Sequence, residues 1–318
     1  MKMQSCHRGL RELCRLLGYT RQAYYQHQQL SSKRGLEEDL VIQQVLSHRI
    51  PLPRIGGGKL HEMIEPFIQE HGIKMGRDAL YDLLRANDLL IVKRKRKQPL
   101  TTDSRHWMRK YPDLIRKIIL TRADELWVSD ITYIHLVQND FAYLSLITDA
   151  YSRKIVGYCM NDDLTAQGPV AALKMALKGR TGTGPLIHHS DRGSQYCSEA
   201  YVDTLKGISI SMTESGNPRD NAIAERVNGI LKQELLKEVY PNIKQAQQDV
   251  VLAIDIYNKI RPHSSIDMMT PEKAHVKTGA IYNRWKGVFK DSVKKAEPGN
   301  INPTAILQEL SYPQKAEV

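Results

Sequence analysis

Several features that define large classes of proteins are scarce or missing in this chain of 318 residues. It has only four cysteines, and no two of them form a C-x-x-C pair, so a disulfide framework is not expected in a chain of this size. No apolar run approaches the ~20 residues that a membrane span requires. The opening MKMQSCHRGL lacks the apolar centre of a secretion signal. We therefore expect a soluble intracellular protein of two or three domains, with no membrane partner.

Zinc is the one alternative use of the first cysteines that we consider. Cys6, His7, Cys14 and His27 carry the right ligand atoms, but their spacing matches no common zinc finger. Cysteines that pack between helices are the favoured interpretation.

Acidic residues are scarce in the first part of the chain only. Residues 1–120 contain 23 Lys and Arg against 12 Asp and Glu, whereas residues 121–318 contain 23 of each kind. The whole net charge of +11 therefore lies in the N-terminal part. This asymmetry indicates a polyanion-binding part joined to a part with another task. Nucleic acid is the favoured polyanion, and an anionic membrane surface is the competing one.

Residues 8–30 predict two helices joined by a short turn within an N-terminal segment 1–50. Leucines recur at helical spacing before Gly18, and Thr20 is suited to cap the next helix. This is the outline of a helix-turn-helix, whose second helix would offer Arg21, Gln22 and Gln26 to DNA. Two short amphipathic helices without a DNA role are equally open.

Residues 51–100 predict a second DNA-binding domain of the same type. A further helix is expected over residues 36–48, before prolines and glycines break the pattern. The stretch IKMGRDALYDLLRANDLL predicts a turn followed by a helix. In this helix we expect four apolar residues to face inward: Ala79, Leu80, Leu83 and Leu84. Three basic residues should be exposed: Lys74, Arg77 and Arg85.

A basic run follows that second helical unit. Its members are Lys93, Arg94, Lys95, Arg96 and Lys97. Such a run is usually solvated surface, but its position after a second helix-turn-helix candidate favours contact with the DNA backbone.

The pattern changes from helical to strand-like near residue 121. Strands are predicted at 126–136, 141–151 and 154–160, and their short connections indicate an antiparallel meander. Helices and strands then alternate: helix 165–178, strand 185–189, helix 198–206, strand 208–212, helix 220–238 and helix 243–259. Thr270 and Pro271 have the composition of one more helix start. The fold class is therefore α/β, with a mixed sheet.

Three acidic residues stand out because of where these elements place them. Asp130 lies in a strand interior, where an acid is disfavoured, and Asp191 follows the end of another strand. Glu225 lies on the helix predicted over 220–238, on one face with Asn228, Gly229 and Lys232.

Carboxylates that converge from two strands and a helix would repel one another without a cation. Hard oxygen ligands favour Mg²⁺ or Mn²⁺, and two such ions suit in-line phosphoryl transfer. Lys232 would then meet a DNA phosphate. The competing interpretation is that Asp191 only caps the turn before Gly193.

Five ordered motifs closely resemble the DDE transposases of bacterial insertion sequences, namely the OrfB type of the IS-three family. They are WVSDITYI, ITDAYSRKIVGY, HSDRGSQY, SMTESGNPRDNAIAERVNGILKQE and YNKIRPHSSIDMMTPEKA. The resemblance implies an RNase H-like, retroviral-integrase-like catalytic core, which we assign to residues 121–280, with a C-terminal tail at 281–318. The interval of 34 positions from Asp191 to Glu225 is two shorter than is usual in that family.

The resemblance also implies an activity and its partners. It implies that Asp130, Asp191 and Glu225 are the catalytic metal ligands for Mg²⁺-dependent cleavage and transfer of DNA strands at the element's ends. It further implies a homo-oligomer on double-stranded DNA, a possible partner from the upstream reading frame, and a cytoplasmic location on the bacterial nucleoid. An inactive DNA-binding regulator and an RNase H-like nuclease are the alternatives.

Overall fold

The computed structural model describes residues 9–92, 94, 107–116, 118–214 and 221–282. These residues separate into two compact units, one of residues 9–50 and 55–92, the other of residues 51–54 and the described residues from Arg94 onward. No helix within them is long and apolar enough to cross a membrane.

The first unit is entirely helical. Its helices are α1 (Leu10–Leu16), α2 (Arg21–Arg49), α3 (Gly57–Glu70) and α4 (Arg77–Ala86). Gly18 has a left-handed φ of 75° in the turn after α1, and the Thr20 side chain accepts a hydrogen bond from the Ala23 amide (3.0 Å). The predicted stop and start of the first two helices are therefore confirmed.

Helix α2 differs from the prediction, because the helices expected before residue 30 and over 36–48 form one continuous helix. Gly35 lies inside it. One glycine costs a helix about 1 kcal/mol, and the ion pairs Lys33–Glu37 and Arg34–Glu38 span the glycine at i,i+4 spacing.

Helices α3 and α4 bury one face each. Leu80, Leu83 and Leu84 of α4 are buried as predicted, but Ala79 is exposed and that part of the prediction is wrong. A stripe of three leucines already fills the interface, and Ala79 falls on its outer side.

The second unit is built on a five-stranded mixed sheet, as predicted. Its strands are β1 (Leu126–His135), β2 (Phe141–Asp149), β3 (Ile155–Asn161), β4 (Ile187–Ser190) and β5 (Ser209–Met212). The strand order is β3-β2-β1-β4-β5. Strands β1 to β3 form the antiparallel meander, while β4 and β5 run parallel to β1.

Helices cover both faces of this sheet. They are α5 (Gln167–Gly179), α6 (Ser194–Cys197), α7 (Glu199–Thr204), α8 (Ala222–Ile230), α9 (Ile243–Lys259) and α10 (Pro271–His275). One apolar core joins the sheet to α5, α6 and α7, and another joins it to α8 and α9. Side chains alternate along a strand, so Trp127 enters the first core and Ile134 the second.

Strand β3 and helix α5 approach so closely that only glycine fits at one point. A Cβ atom at Gly157 would overlap the carbonyl oxygen of Ala172. This contact fixes α5 directly on the sheet.

The helix predicted over 220–238 is shorter and ends irregularly. Helix α8 continues into a π-helical turn, Leu231–Leu235, and Leu236 is extended. The α9 prediction is confirmed at both ends, and Thr270 caps α10 with Pro271 in its first turn.

Candidate active site

Strands β1 and β4 bring Asp130 and Asp191 to the same level of the sheet. Val128 pairs with His189 in the parallel register, and the two aspartates each lie two residues further on. Because side chains alternate with a period of two, both carboxylates project from the same face. The two acids that the sequence singled out on strands are thus neighbours.

A pocket opens between these two carboxylates. It is lined by Asp130, Ile131, Tyr133, Leu164, Asp191, Gln195 and Tyr196. Burial raises the pKa of the Tyr196 hydroxyl well above its usual value, with Tyr201 and then the two aspartates adding to the effect. Tyr196 therefore keeps its proton and is a neutral donor near two acids. In the sequence, nothing in the spacing of Tyr196 separates it from an ordinary core tyrosine.

The pocket disfavours negative charge. Burial, then the charge of Asp191, raises the pKa of Asp130 from 3.8 to about 7. Burial also raises the pKa of Asp191, opposed by a hydrogen bond from the Gly193 amide to Asp191 Oδ1 (3.0 Å). That bond is the turn cap considered as the alternative role of Asp191. Because this hydrogen bond uses Oδ1, the Asp191 carboxylate can cap the turn and still line the pocket.

Two asparagines attach helix α8 to strand β1 beside Asp130. Asn221 Nδ2 donates to the Ser129 carbonyl oxygen (2.8 Å), and Asn228 Nδ2 donates to Asp130 Oδ2 (2.6 Å). Asn228 is buried and orients this carboxylate, and its predicted contact with DNA stays a prediction.

Glu225 lies in the first turn of α8 and its side chain is exposed. Its charge raises the pKa of Asp130, but least of all the causes. Among the described residues, no three acids, histidines or cysteines already stand close enough together to hold one ion. The structure therefore joins Asp130 and Asp191 in one pocket and holds the helix of Glu225 against them.

Lys232 lies in the π turn and is half-buried. Burial lowers the pKa of its ammonium group, and the charge of Asp130 opposes this change. The ammonium group of Lys232 therefore lies close enough to Asp130 for the two charges to interact.

The two histidines before Asp191 make hydrogen bonds within the core. His188 Nε2 lies 2.6 Å from Ser129 Oγ and 2.8 Å from Tyr201 OH, and His189 Nδ1 lies 2.8 Å from Ser211 Oγ. Burial, then the neighbouring His189, lowers the pKa of His188 to about 3, so this ring is neutral. Both rings therefore pack within the core at the end of β4.

Of the other sequence-predicted DNA contacts, three lie in the first unit, Arg94 lies in the second unit, and four lie outside the described residues. Arg21, Gln22 and Arg77 are exposed at the first turns of α2 and α4, and Arg77 pairs with Asp78 (3.2 Å). Lys93, Lys95, Arg96 and Lys97 lie outside the described residues, as do Cys6 and His7 of the zinc alternative. Each of these DNA contacts stays a prediction.

Comparisons with known proteins bear on both units. Two profiles of the integrase core domain match residues 121–218 and 206–271. The chain is 34% identical over 275 residues to the uncharacterized 31 kDa protein of insertion element IS600 from Shigella sonnei, which covers 83% of this chain and 98% of that relative. The chain belongs to the insertion-sequence transposase family.

Other relatives agree with this assignment. The transposase for insertion sequence element IS629 from Shigella sonnei is 32% identical and covers 64% of this chain and 69% of its own length. Transposase InsF for insertion sequence IS3A from Escherichia coli K12 is 34% identical over 47% of this chain and 53% of its own length. A solved simian T-cell lymphotropic virus intasome covers 71% of this chain and 77% of its own with a TM-score of 0.41 at 17% identity, too low a likeness to carry an inference.

Family membership confirms the resemblance found in the five motifs, the integrase-like core and the activity class. This transposase is a polynucleotidyl transferase, and the binding-only regulator is not favoured.

The high pKa of Asp130 predicts an unusual dependence of stability on pH. Between pH 3.8 and about 7, folded Asp130 binds a proton that the unfolded chain has released. The free energy of unfolding of the metal-free transposase should therefore fall as the pH rises through this window. Denaturant unfolding at a series of pH values, in chelating buffer, measures this. Asp130→Asn should flatten the slope, and an identical slope in both proteins would contradict the assignment.

Proposed function

We propose that Asp130, Asp191 and Glu225 hold Mg²⁺ or Mn²⁺, two ions in the active complex, and that this site cleaves and joins DNA strands at insertion-sequence ends. The observation that carries the proposal is the pair Asp130 and Asp191, set at one level on adjacent parallel strands and sharing a pocket that resists their ionisation.

The chemistry of the donor set fits a hard divalent cation. The pocket offers carboxylate oxygens, while the nearest imidazoles are engaged by Ser129, Tyr201 and Ser211. Mg²⁺ and Mn²⁺ prefer oxygen ligands, and a cation would reverse the unfavourable charge that raises both aspartate pKa values. Nothing in the pocket favours a softer metal.

Among the three proposed ligands, Glu225 is supported mainly by the sequence motif that contains it. Its carboxylate is exposed on α8, whose start and middle are bound to β1 through Asn221 and Asn228. These two bonds hold the helix that carries Glu225 against β1, the strand of Asp130. We propose that the Glu225 side chain turns toward the pocket when the cation and DNA are bound.

The chain's own residues divide the remaining work. Bound divalent ions supply an activated attacking oxygen and a stabilised leaving oxygen in phosphoryl transfer. Asn228 holds Asp130 in one orientation through the bond at Oδ2. Lys232, near Asp130 and partly desolvated, is placed to bind a DNA phosphate beside the reacting bond.

DNA binding beyond the pocket is proposed for three exposed polar or basic residues of the first unit and for the basic run apart from Arg94. The residues are Arg21, Gln22, Arg77, Lys93, Lys95, Arg96 and Lys97. Work on two element ends at once calls for a homo-oligomer, and a fusion or partner from an upstream frame is compatible with it.

The test is a strand-transfer assay on the element's own terminal sequences. With Mg²⁺ the wild-type protein should nick at the ends and join the 3′-hydroxyl to a target strand, and with chelator it should do neither. Joined strands distinguish a transposase from a nuclease, since a nuclease would release only hydrolysed products. Absence of metal-dependent cleavage and joining on these ends would leave a DNA-binding protein without chemistry.

A further inference from the structure

The basic run that follows the helical unit contains one arginine whose contacts are described, and those contacts are with protein. Arg94 Nη1 donates to the carbonyl oxygens of Lys232 (2.7 Å) and Leu236 (2.8 Å). Its Nε lies 3.0 Å from Glu238 Oε1, and the arginine side chain is only 22% exposed. Three of the five N–H groups of the guanidinium therefore already have acceptors.

The two carbonyl oxygens belong to the π turn that continues α8 and to Leu236, the residue that follows this turn. The last carbonyls of a helix have no partners within it and carry partial negative charge, so a guanidinium is a suitable cap. A single arginine can bridge two such carbonyls because its N–H groups form a rigid planar fork. Lys232 is one of the two residues held in this way.

The same turn is anchored on its inner side. Arg261, fully buried, donates from Nε and Nη2 to the two oxygens of Glu234 (2.8 and 2.7 Å). The turn is thus fastened at Glu234 by Arg261 and at Lys232 by Arg94. A π turn breaks the regular hydrogen-bond pattern of a helix, so such external bonds set its shape.

We infer that Arg94 is a positioning residue for the active site: it fixes the backbone of Lys232, and so the approach of that ammonium group to Asp130, and does not serve as a ligand of DNA phosphate. The basic run then has two tasks. One arginine holds the catalytic helix, and its neighbours remain for DNA. The inference rests on the proposed function only for its activity readout.

Arg94→Lys separates the two roles, because lysine keeps the charge that a phosphate needs but lacks the planar fork. We expect Arg94→Lys to bind element-end DNA with the wild-type affinity and salt dependence. Its maximal strand-transfer rate at saturating DNA should fall about 10- to 100-fold, as small misplacements of an active-site group do. Hydrogen exchange at the Leu236 amide, which donates to the Leu231 carbonyl (2.8 Å), should become faster.

Arg94→Ala and a control complete the experiment. Lys259→Ala removes an exposed charge that pairs with Asp255 and gives the effect of simple charge loss on DNA binding. Arg94→Ala should match this baseline in salt dependence and fall below Arg94→Lys in rate.

Two results would overturn the inference. One is a weaker binding of Arg94→Ala whose salt slope drops by about 0.9 relative to the control, with the maximal rate retained, which marks a phosphate ligand. The other is wild-type rate and exchange in both variants. If the wild-type protein itself joins no DNA, the proposed function fails, while hydrogen exchange and DNA binding still decide the role of Arg94.

Discussion

Asp130→Asn is expected to abolish both cleavage and joining. The amide has the size of the carboxylate and keeps the hydrogen-bonding position beside Asn228, but it lacks the negative charge that a divalent cation needs. Loss of ion-dependent stabilisation worth several kcal/mol corresponds to a rate decrease of about 10³-fold or more. The same variant should no longer show the rise in unfolding temperature that Mg²⁺ gives to the wild-type protein.

Asp140→Asn is the matched control for this experiment. Asp140 is exposed in the connection between β1 and β2, where its carboxylate accepts a hydrogen bond from the Phe141 amide (2.8 Å), and it is remote from the pocket in the sheet register. It should retain metal-dependent activity and stabilisation. A strand-transfer rate within tenfold of wild type for Asp130→Asn would show that the pocket is not the reaction centre.

The sheet and its two aspartates were accessible from the sequence for a simple physical reason. Alternation along residues 126–136 predicts which side chains share a face, and an acid in such a strand conflicts with its surroundings unless it has a function. The same local logic found Asp191 at a strand end. The local sequence also predicted both ends of α9, because Asn242 caps its start and its amphipathic pattern continues to its last residue.

What the sequence did not predict depends on partners distant along the chain. Asn228 shares a helix face with Glu225 and Lys232, which suggested DNA, but its partner is Asp130, 98 positions away. Arg94 lies 138 positions from Lys232, and its neighbours in sequence suggested contact with the DNA backbone. The same limit explains the π turn, since the bonds that stabilise it come from Arg54, Arg94 and Arg261.

Long-range partners also decided the length of α2. The sequence predicted two helices here, yet one helix continues through Gly35 because the cost of one glycine is small beside the burial of Val41 and Val45 further along it. Turn residues are thus a weaker guide to helix ends than caps such as Thr20.

Glu234→Ala is expected to cause the largest loss of stability among single changes in the catalytic unit. Arg261 has no exposed surface, and both oxygens of Glu234 accept its hydrogen bonds. Removing the carboxylate leaves a buried guanidinium whose remaining hydrogen bonds, among the residues that the structure describes, go to the Pro262 carbonyl oxygen and the His263 ring. Breaking such a pair from one side costs about 3–5 kcal/mol, so the midpoint of denaturant unfolding should fall sharply.

Tryptophan fluorescence reports the unfolding of the catalytic unit, because all three tryptophans of the chain lie after residue 92. Asp255→Ala serves as the control, since its partner Lys259 is half-exposed and such a surface pair stabilises a protein little. Equal unfolding midpoints for the two variants would mean that the Glu234–Arg261 pair is no more stabilising than a surface ion pair. The π turn would then depend more on the bonds from Arg94 to the Lys232 and Leu236 carbonyl oxygens and from Arg54 to the Gln233 carbonyl oxygen (3.0 Å), and Arg94→Ala should be more damaging than Glu234→Ala.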